Sequence, residues 1–158
     1  MSSCIATNEN AHGHYIVSPD TRAKLSLLAA KRMASMPRQF ISKLEDRVAL
    51  VLQELQATYF RQYYIRDTLG RFAASLDFYF PQTNKALEVN GTFWHADPRV
   101  YPNPKHTIQL KNLKRYQQKC GLLAQLGIDL VEVWELDLNK DIKSVVNQAY
   151  AKICGVYL

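Results

Sequence analysis

Two short apolar segments joined by a polar turn stand out in the hydrophobic pattern of the chain. The segments cover residues 76–80 and 86–90, and each carries one carboxylate, Asp77 in the first and Glu88 in the second. Side chains alternate between the two faces of a strand, so each carboxylate lies opposite its apolar neighbours. If the two strands pair as a hairpin, the carboxylates lie side by side, where like charges repel. The pattern therefore indicates either a hard divalent cation or two exposed acids on an ordinary amphipathic hairpin.

The rest of the pattern predicts an α/β order around this hairpin. Helical stripes predict helices over about 42–57, 107–126 and 141–153, and apolar runs predict strands over 59–65 and 129–134. A helix, three strands, a helix, a strand and a final helix form a mixed sheet flanked by helices.

The N-terminal part of the chain has a different character. Residues 1–13 are polar and aperiodic, and Ser18-Pro19-Asp20-Thr21 is typical of a helix start, with the helix continuing to about Ala34. We therefore expect a flexible lead and a small basic helical extension over 1–36, and the main domain over 37–158.

Composition indicates the kind of partner and the cellular compartment. The 158 residues have a formal net charge of +6 and 47% hydrophobic content, which suits one domain with an ordinary core and a polyanionic partner. The sequence has no signal peptide and no apolar run long enough to cross a membrane. Its three cysteines are few and far apart, as expected for reduced thiols in the cytoplasm.

The second apolar segment continues into Gly91-Thr92-Phe93-Trp94-His95-Ala96-Asp97. The glycine ends the strand and places an imidazole and a third carboxylate just beyond it. Three acids and a histidine within so short a stretch indicate a metal-assisted hydrolytic centre.

At these residues the sequence resembles a known family. Asp77, the segment 88–90 and the segment 91–95 are similar to the core of the PD-(D/E)XK nucleases. Within that superfamily they most resemble the very-short-patch repair endonucleases and the EDxHD homing endonucleases of phages. The likeness continues in 112–115 and 127–135. It implies a restriction-endonuclease-like core and cleavage of double-stranded DNA.

The resemblance also implies roles for individual residues. Asp77 is the main ligand of Mg²⁺, with Mn²⁺ as a substitute, and Glu88 and the Val89 carbonyl complete the protein ligands. His95 is the general base, because an imidazole accepts a proton near neutral pH. Asp97 either orients that imidazole or holds the metal through water.

Two further residues of the implied centre are Glu45 and Asn90. Ser42 and Glu45 have the spacing of a capping box, which explains the glutamate structurally. The family nevertheless carries a glutamate at this point that faces the metal, and both roles stay open. Asn90 stands where the wider superfamily has a lysine, so it can donate a hydrogen bond to phosphate but supplies no charge.

The expected DNA contacts are basic residues in two regions. Residues 18–26 resemble the nuclease-associated modular DNA-binding motifs of phage homing endonucleases, and a proline-rich loop and the following helix are basic as well. The residues expected to contact DNA are Arg22, Lys24, Lys31, Arg32, Arg99, Lys105, Lys111, Lys114 and Arg115.

Departures from the repair enzymes narrow the choice of function. Thr92 and Leu136 replace two zinc-binding cysteines, so we expect no structural zinc, and Tyr116 replaces an aspartate, which favours the homing branch. The leading hypothesis is a Mg²⁺-dependent homing endonuclease, acting as a homodimer or by two successive nicks if both strands are cut. The alternatives are a mismatch-repair nickase and an inactive DNA-binding protein.

Trp94 is expected to pack against its own loop and Trp134 to lie in the core, while Glu132 has no predicted role beyond an ion pair.

Overall fold

The computed structural model describes residues 42–66 and 72–156 of the chain. The elements in these residues are α1 (Lys43–Glu54), β1 (Phe60–Arg66), β2 (Phe72–Phe80), β3 (Lys85–Asn90), α2 (Thr107–Gln125), β4 (Asp129–Trp134) and α3 (Glu135–Cys154). The helix expected over 18–34, with its basic residues Arg22, Lys24, Lys31 and Arg32, lies outside the described residues. The division into two parts therefore stays a prediction.

The four strands form one mixed sheet in the order β1-β2-β3-β4. The pairs β1–β2 and β2–β3 are antiparallel, whereas β3 and β4 are parallel. Parallel neighbours need a crossover connection, and α2 supplies it. The predicted α/β fold, a mixed sheet flanked by helices, is confirmed. Within the described residues, no helix is both long and apolar enough to cross a bilayer.

Each face of the sheet is covered by apolar side chains of helices. On one face, α1 and α3 pack on strand residues, among them Phe78, Leu87 and Val133. On the other face, Leu123 of α2 packs with Tyr79 and Ala86. Because Glu88 and Asn90 alternate with the first set along β3, they share the α2 side with Ala86.

The last helix begins at Glu135 rather than at Asp141, where the sequence predicted its start. Asp141 has non-helical φ and ψ values of −154° and 88°, which marks a kink inside α3. Its Oδ1 accepts a hydrogen bond of 2.9 Å from the Ser144 N–H. Asp141 therefore caps the second part of a kinked helix. The sequence pattern shows this cap as a helix start, although the whole helix begins at Glu135.

Candidate active site

The ladder between β2 and β3 stops where the two predicted carboxylates meet. Its last pair is Phe78 with Leu87, and the next position in the same register would pair Asp77 with Glu88. There the side chains form the connections instead. Oδ2 of Asp77 accepts a 2.9 Å hydrogen bond from the Val89 N–H, and the Asp77 N–H donates to Oε1 of Glu88 over 3.2 Å. The two carboxylates are thus adjacent and held by backbone on opposite strands.

Lys119 of α2 completes this cluster. Its Nζ lies 2.5 Å from Oε2 of Glu88 and donates to the Ser75 carbonyl over 2.9 Å. The side chain of Lys119 is 18% exposed and that of Glu88 3%. Lys119 is not among the site residues predicted from the sequence. Its position four residues before the buried Leu123 could have indicated it, because this spacing puts a lysine on the apolar stripe of the helix.

The acids of the cluster oppose one another's ionisation. Burial raises the pKa of Asp77 well above its usual value, and the charges of Glu88 and Glu45 raise it further. Burial also raises the pKa of Glu88, although Lys119 acts in the opposite direction. One ammonium group therefore does not compensate this set of carboxylates, and an additional cation would be strongly attracted to it.

Glu45 has the capping role that the sequence predicted, and its charge also acts on the acidic cluster. Its Oε1 accepts from the Ser42 N–H and its N–H donates to Ser42 Oγ, both at 3.1 Å, so the capping box is present. Its Oε2 accepts a 2.7 Å hydrogen bond from Gln62. The residue is 7% exposed, and its charge acts on Asp77. Glu45 is therefore a helix cap that also adds negative potential to the cluster.

Gln62 holds an unusual backbone conformation at this point. Its φ is 53°, and the β1–β2 register puts it opposite Asp77. A non-glycine residue in the left-handed region costs roughly 1 kcal/mol or more, so the surrounding contacts must enforce it. The strain directs the Gln62 side chain toward Glu45.

The donor atoms fit a hard divalent cation of the magnesium type. Among residues 42–66 and 72–156, no group of three or more His, Cys, Asp or Glu side chains is arranged to hold a metal ion. Mg²⁺ commonly uses only one or two carboxylates and keeps several water molecules. Asp77 and Glu88, with the neighbouring Val89 carbonyl, provide such an oxygen set. Glu88 can join it fully only if Lys119 releases Oε2.

A compact loop after β3 carries His95. The loop is closed by backbone hydrogen bonds, from the His95 N–H to the Gly91 carbonyl over 3.0 Å and from the Asp97 N–H to the Thr92 carbonyl over 2.9 Å. Oε2 of Glu135, in the first turn of α3, accepts from the Thr92 N–H over 2.8 Å. The loop that positions His95 is thus tied to α3 by a carboxylate that the sequence analysis did not single out.

Two amide side chains of α2 hold the same loop from the other side. Gln109, which is fully buried, donates from Nε2 to the Phe93 carbonyl over 2.9 Å. Asn112 donates from Nδ2 to the Trp94 carbonyl over 2.9 Å. The burial of Gln109, in the first turn of α2, is known only from the fold, so nothing in the sequence indicates this anchor; once buried, its amide needs hydrogen-bond partners.

Asp97 and Arg99 have different partners from those expected. Arg99 donates to both oxygens of Asp97, from Nε over 2.9 Å and from Nη2 over 2.7 Å, and it also pairs with Asp137 of α3 at 2.8 Å. These hydrogen bonds lower the pKa of Asp97, whose side chain is fully buried. The contacts therefore tie Asp97 to Arg99 rather than to His95, and they tie Arg99 to two acids of its own chain rather than leaving it free for DNA.

His95 opens onto a cleft of about 340 Å³ between the ends of β3 and β4, the loop 98–104 and α2. Burial lowers the pKa of His95, the charge of Lys119 lowers it further, and Glu132 acts in the opposite direction. The neutral imidazole is therefore favoured, which is the form that accepts a proton. The cleft also contains Trp134, which was expected in the core.

Asn90 and Glu132 are joined on the wall of this cleft. Nδ2 of Asn90 donates to Oε1 of Glu132 over 2.6 Å, and the Tyr116 hydroxyl also hydrogen-bonds to Glu132. The amide expected to reach phosphate is thus bonded to a neighbouring strand. Glu132, for which the sequence predicted no role beyond an ion pair, interacts with both Asn90 and Tyr116.

Aromatic and basic side chains are exposed around the His95 loop. Trp94 is 58% exposed, with its ring edge-on to Phe93 at 5.4 Å between centroids. Trp94 therefore packs against its loop through the Phe93 ring, as expected, but most of its surface is exposed. Four of the basic residues expected to contact DNA are exposed on the preceding loop and on α2: Lys105, Lys111, Lys114 and Arg115.

The fold and the site together define an α/β domain with a buried acidic cluster beside a histidine loop. No protein-family model matches the chain, and a comparison with curated proteins finds no match. Among solved structures, the chain is similar to the catalytic domain of the homing endonuclease I-Bth0305I. The two are 19% identical with a TM-score of 0.46, over 72% of this chain and 98% of that chain. A likeness of this strength does not carry a functional conclusion, which has to come from the site.

Proposed function

We propose that this protein is a divalent-metal-dependent DNA endonuclease that hydrolyses phosphodiester bonds. The observation that carries the proposal is the end of the β2–β3 ladder, where Asp77 and Glu88 replace a backbone pair and the charge of Glu88 opposes ionisation of Asp77. A bound cation would relieve the burial of this second carboxylate, which the ion pair between Glu88 and Lys119 leaves unbalanced.

Mg²⁺, or Mn²⁺ in its place, would be held by Asp77, Glu88 and the Val89 carbonyl. When bound, the ion polarises a water molecule and neutralises charge on the scissile phosphate. Glu45, bonded to Gln62 at 2.7 Å, keeps the potential of the cluster negative. The overall charge of +6 and the exposed cations of α2 suit a polyanionic substrate.

His95 would accept the proton of the attacking water. Its lowered pKa keeps the imidazole neutral at physiological pH, and the loop bonds to Glu135, Gln109 and Asn112 fix its backbone. A general base held in this way contributes roughly 10²–10⁴-fold to a hydrolytic rate.

Lys119 would provide the positive charge that Asn90 cannot supply. Its ammonium group bonds to Glu88. If Glu88 held a metal ion instead, the ammonium group would be free to bind a phosphate oxygen and to stabilise the charge that develops in the transition state.

The homing type is our preferred subclass, on the motif resemblance and on Tyr116 where the repair enzymes have an aspartate. The solved structure reported above is named for a homing endonuclease, but the likeness is too weak to support this choice. One active centre cuts one strand at a time, so double-strand cleavage would need a homodimer or two successive nicks.

A second candidate function is DNA binding without cleavage. The specific observation in its favour is the Glu88–Lys119 ion pair, in which an internal cation already occupies one of the two main carboxylates. If Lys119 never releases Glu88, the site keeps its charge balance without a metal and no hydrolysis follows.

Incubation of the pure protein with supercoiled plasmid separates the two functions. An endonuclease converts the plasmid to nicked or linear forms with Mg²⁺ and stops with EDTA, and Asp77→Asn abolishes the reaction. The matched control is Asp129→Asn, which neutralises an exposed aspartate at the start of β4. Retarded migration of uncut plasmid, equal with Mg²⁺ and EDTA, would leave only the binding function.

A further inference from the structure

The cleft beside His95 has a composition that does not suit a phosphate group. Among the described residues that line it, none is a lysine or an arginine, and the carboxylate of Glu132 faces it. Prolines of the loop 98–104 and the rings of Tyr101, Tyr116 and Trp134 form much of the walls, and His95, Asn90, Ala96, Asn112 and Leu113 complete them. A negative carboxylate repels a phosphodiester, so the DNA backbone is not the group that fits this space.

The cleft is lined by two fixed acceptors beside the ring N–H and O–H donors of its histidine, tyrosines and tryptophan. The first acceptor is Glu132, which is oriented by Asn90 and lies near Tyr116, and an ionised carboxylate can only accept. The other atom of the Asn90 amide, Oδ1, is buried and has no hydrogen-bond partner among the described residues, although Asn90 itself is 1% exposed. Buried acceptors normally have a partner. An occupant of the cleft should therefore carry N–H donors.

The walls select a flat occupant. Aromatic rings and prolines offer planar apolar surfaces, and a cleft of about 340 Å³ can enclose one heterocycle with part of its sugar. A metal ion is not favoured, since Glu132 is the one carboxylate among the described residues that line the cleft.

Helix α2 connects the cleft to the DNA backbone. Asn112, Leu113 and Tyr116 line the cleft, whereas Lys111 and Arg115 are exposed on the same helix. Cations on the outside of α2 can follow phosphates while its inner residues face a base.

We propose that the cleft receives a nucleobase with an exocyclic amino group, unstacked from the DNA next to His95. Glu132 accepts a hydrogen bond from the amino group, and the rings stack on the base. Guanine, adenine and cytosine carry such a group with two N–H donors, whereas thymine offers only its N3–H between two carbonyl oxygens that a carboxylate repels. The cleft therefore favours an amino-bearing base beside the cleavage position. This inference rests on the proposed DNA substrate.

The chain offers a direct reporter for occupancy. It contains two tryptophans, Trp94 and Trp134, so Trp94→Phe leaves the cleft residue Trp134 as the single fluorophore. Deoxyguanosine, deoxyadenosine, deoxycytidine and thymidine are titrated into this full-length variant with excitation beyond nucleoside absorption. We expect the three amino-bearing nucleosides to quench Trp134 and thymidine to bind about tenfold more weakly than they do, the effect of one lost hydrogen bond to a charged acceptor.

Added substitutions test the acceptor. In the Trp94→Phe background, Glu132→Gln should weaken the amino-bearing nucleosides by about fivefold, because the acceptor loses its charge. Tyr116→Phe, which keeps the ring but releases Glu132, should weaken them less. Asp129→Asn removes another acid of the same strand outside the cleft and should change nothing. Circular dichroism and thermal melting identify a variant that has lost its fold.

The outcomes separate this inference from the proposed function. Equal quenching by all four nucleosides, unchanged affinity in Glu132→Gln, or no quenching at all would overturn the base site. Each of these results could occur while the wild-type protein still cuts plasmid DNA. Base-selective quenching without any plasmid cleavage would keep the cleft assignment and overturn the endonuclease.

Discussion

Lys119 and Glu88 form a buried ion pair between α2 and β3, with 2.5 Å between Nζ and Oε2. The pair stands at the end of the β2–β3 ladder, where Glu88 also accepts the Asp77 N–H. A single lysine thus partly balances a cluster in which three carboxylates affect one another. This arrangement leads to the first prediction.

Replacing Lys119 by methionine should destabilise the metal-free protein by about 3 kcal/mol, because Glu88 is left buried without its partner. Lys111→Met, on the exposed face of the same helix, should stay within about 0.5 kcal/mol. Urea unfolding at neutral pH measures both. Added Mg²⁺ should restore more stability to Lys119→Met than to the wild type, since the ion then supplies the missing charge. Equal Mg²⁺ effects would contradict a shared role of metal and lysine.

The pH dependence of stability follows from the raised pKa values of Asp77 and Glu88. A carboxyl group whose folded-state pKa exceeds its unfolded value binds protons more readily when folded. Its contribution to stability is therefore full below the unfolded pKa and is lost as pH rises through the folded pKa.

We accordingly expect the melting temperature without metal to fall as pH rises from the usual carboxyl range toward neutrality. Asp77→Asn should flatten this fall and raise the melting temperature at neutral pH. The control Asp129→Asn, at an exposed position, should retain the wild-type slope. A wild-type melting temperature that rises over this range would show that the cluster does not repel itself.

Local patterns predicted most of these elements, and contacts distant in sequence explain what they missed. Strand alternation predicted Asp77 and Glu88, although the alternation is broken at Asp77, because its neighbours Leu76 and Phe78 pack in clusters on opposite faces of the sheet. Lys119 was not found, since its partner Glu88 lies on another element and the helix looks basic in any case. The same limit explains part of the pairing of Arg99, because Asp137 lies 38 residues further along the chain, whereas Asp97 is a near neighbour in the sequence.

Arg99→Gln should lower thermal stability rather than DNA affinity. Its guanidinium group is engaged by Asp97 and Asp137, and its loss leaves the fully buried Asp97 carboxylate without a cation. Arg115→Gln is the matched control, because Arg115 is exposed on α2. It should leave the melting temperature unchanged and reduce the salt dependence of DNA binding by about 0.9 log units per log unit of salt if it contacts one phosphate. The reverse pattern would return Arg99 to the DNA surface.

His95→Ala should reduce plasmid cleavage by about 10²–10⁴-fold with little change in DNA affinity, the effect of losing a general base. The lowered pKa of His95 also fixes the sign of the pH profile. Cleavage should rise as the imidazole loses its proton, with the midpoint of the rise below the usual histidine pKa. His106→Ala, at an exposed histidine beside Phe93, is the control for the loop. A profile that rises only well above neutral pH would exclude His95 as the base.

Trp94→Ala should weaken DNA binding without weakening the fold. The indole is 58% exposed next to His95, and its loop is held through the Trp94 carbonyl, which accepts from Asn112 whatever the side chain is. Loss of a stacked base costs about 1–3 kcal/mol of affinity, whereas truncating an exposed side chain changes stability by about 0.5 kcal/mol or less. Fluorescence anisotropy with labelled duplex at fixed salt measures the first and thermal melting the second. Leu110→Ala, 50% exposed on α2, is the apolar control. Equal affinities of Trp94→Ala and Leu110→Ala would mean that the exposed indole does not contact DNA.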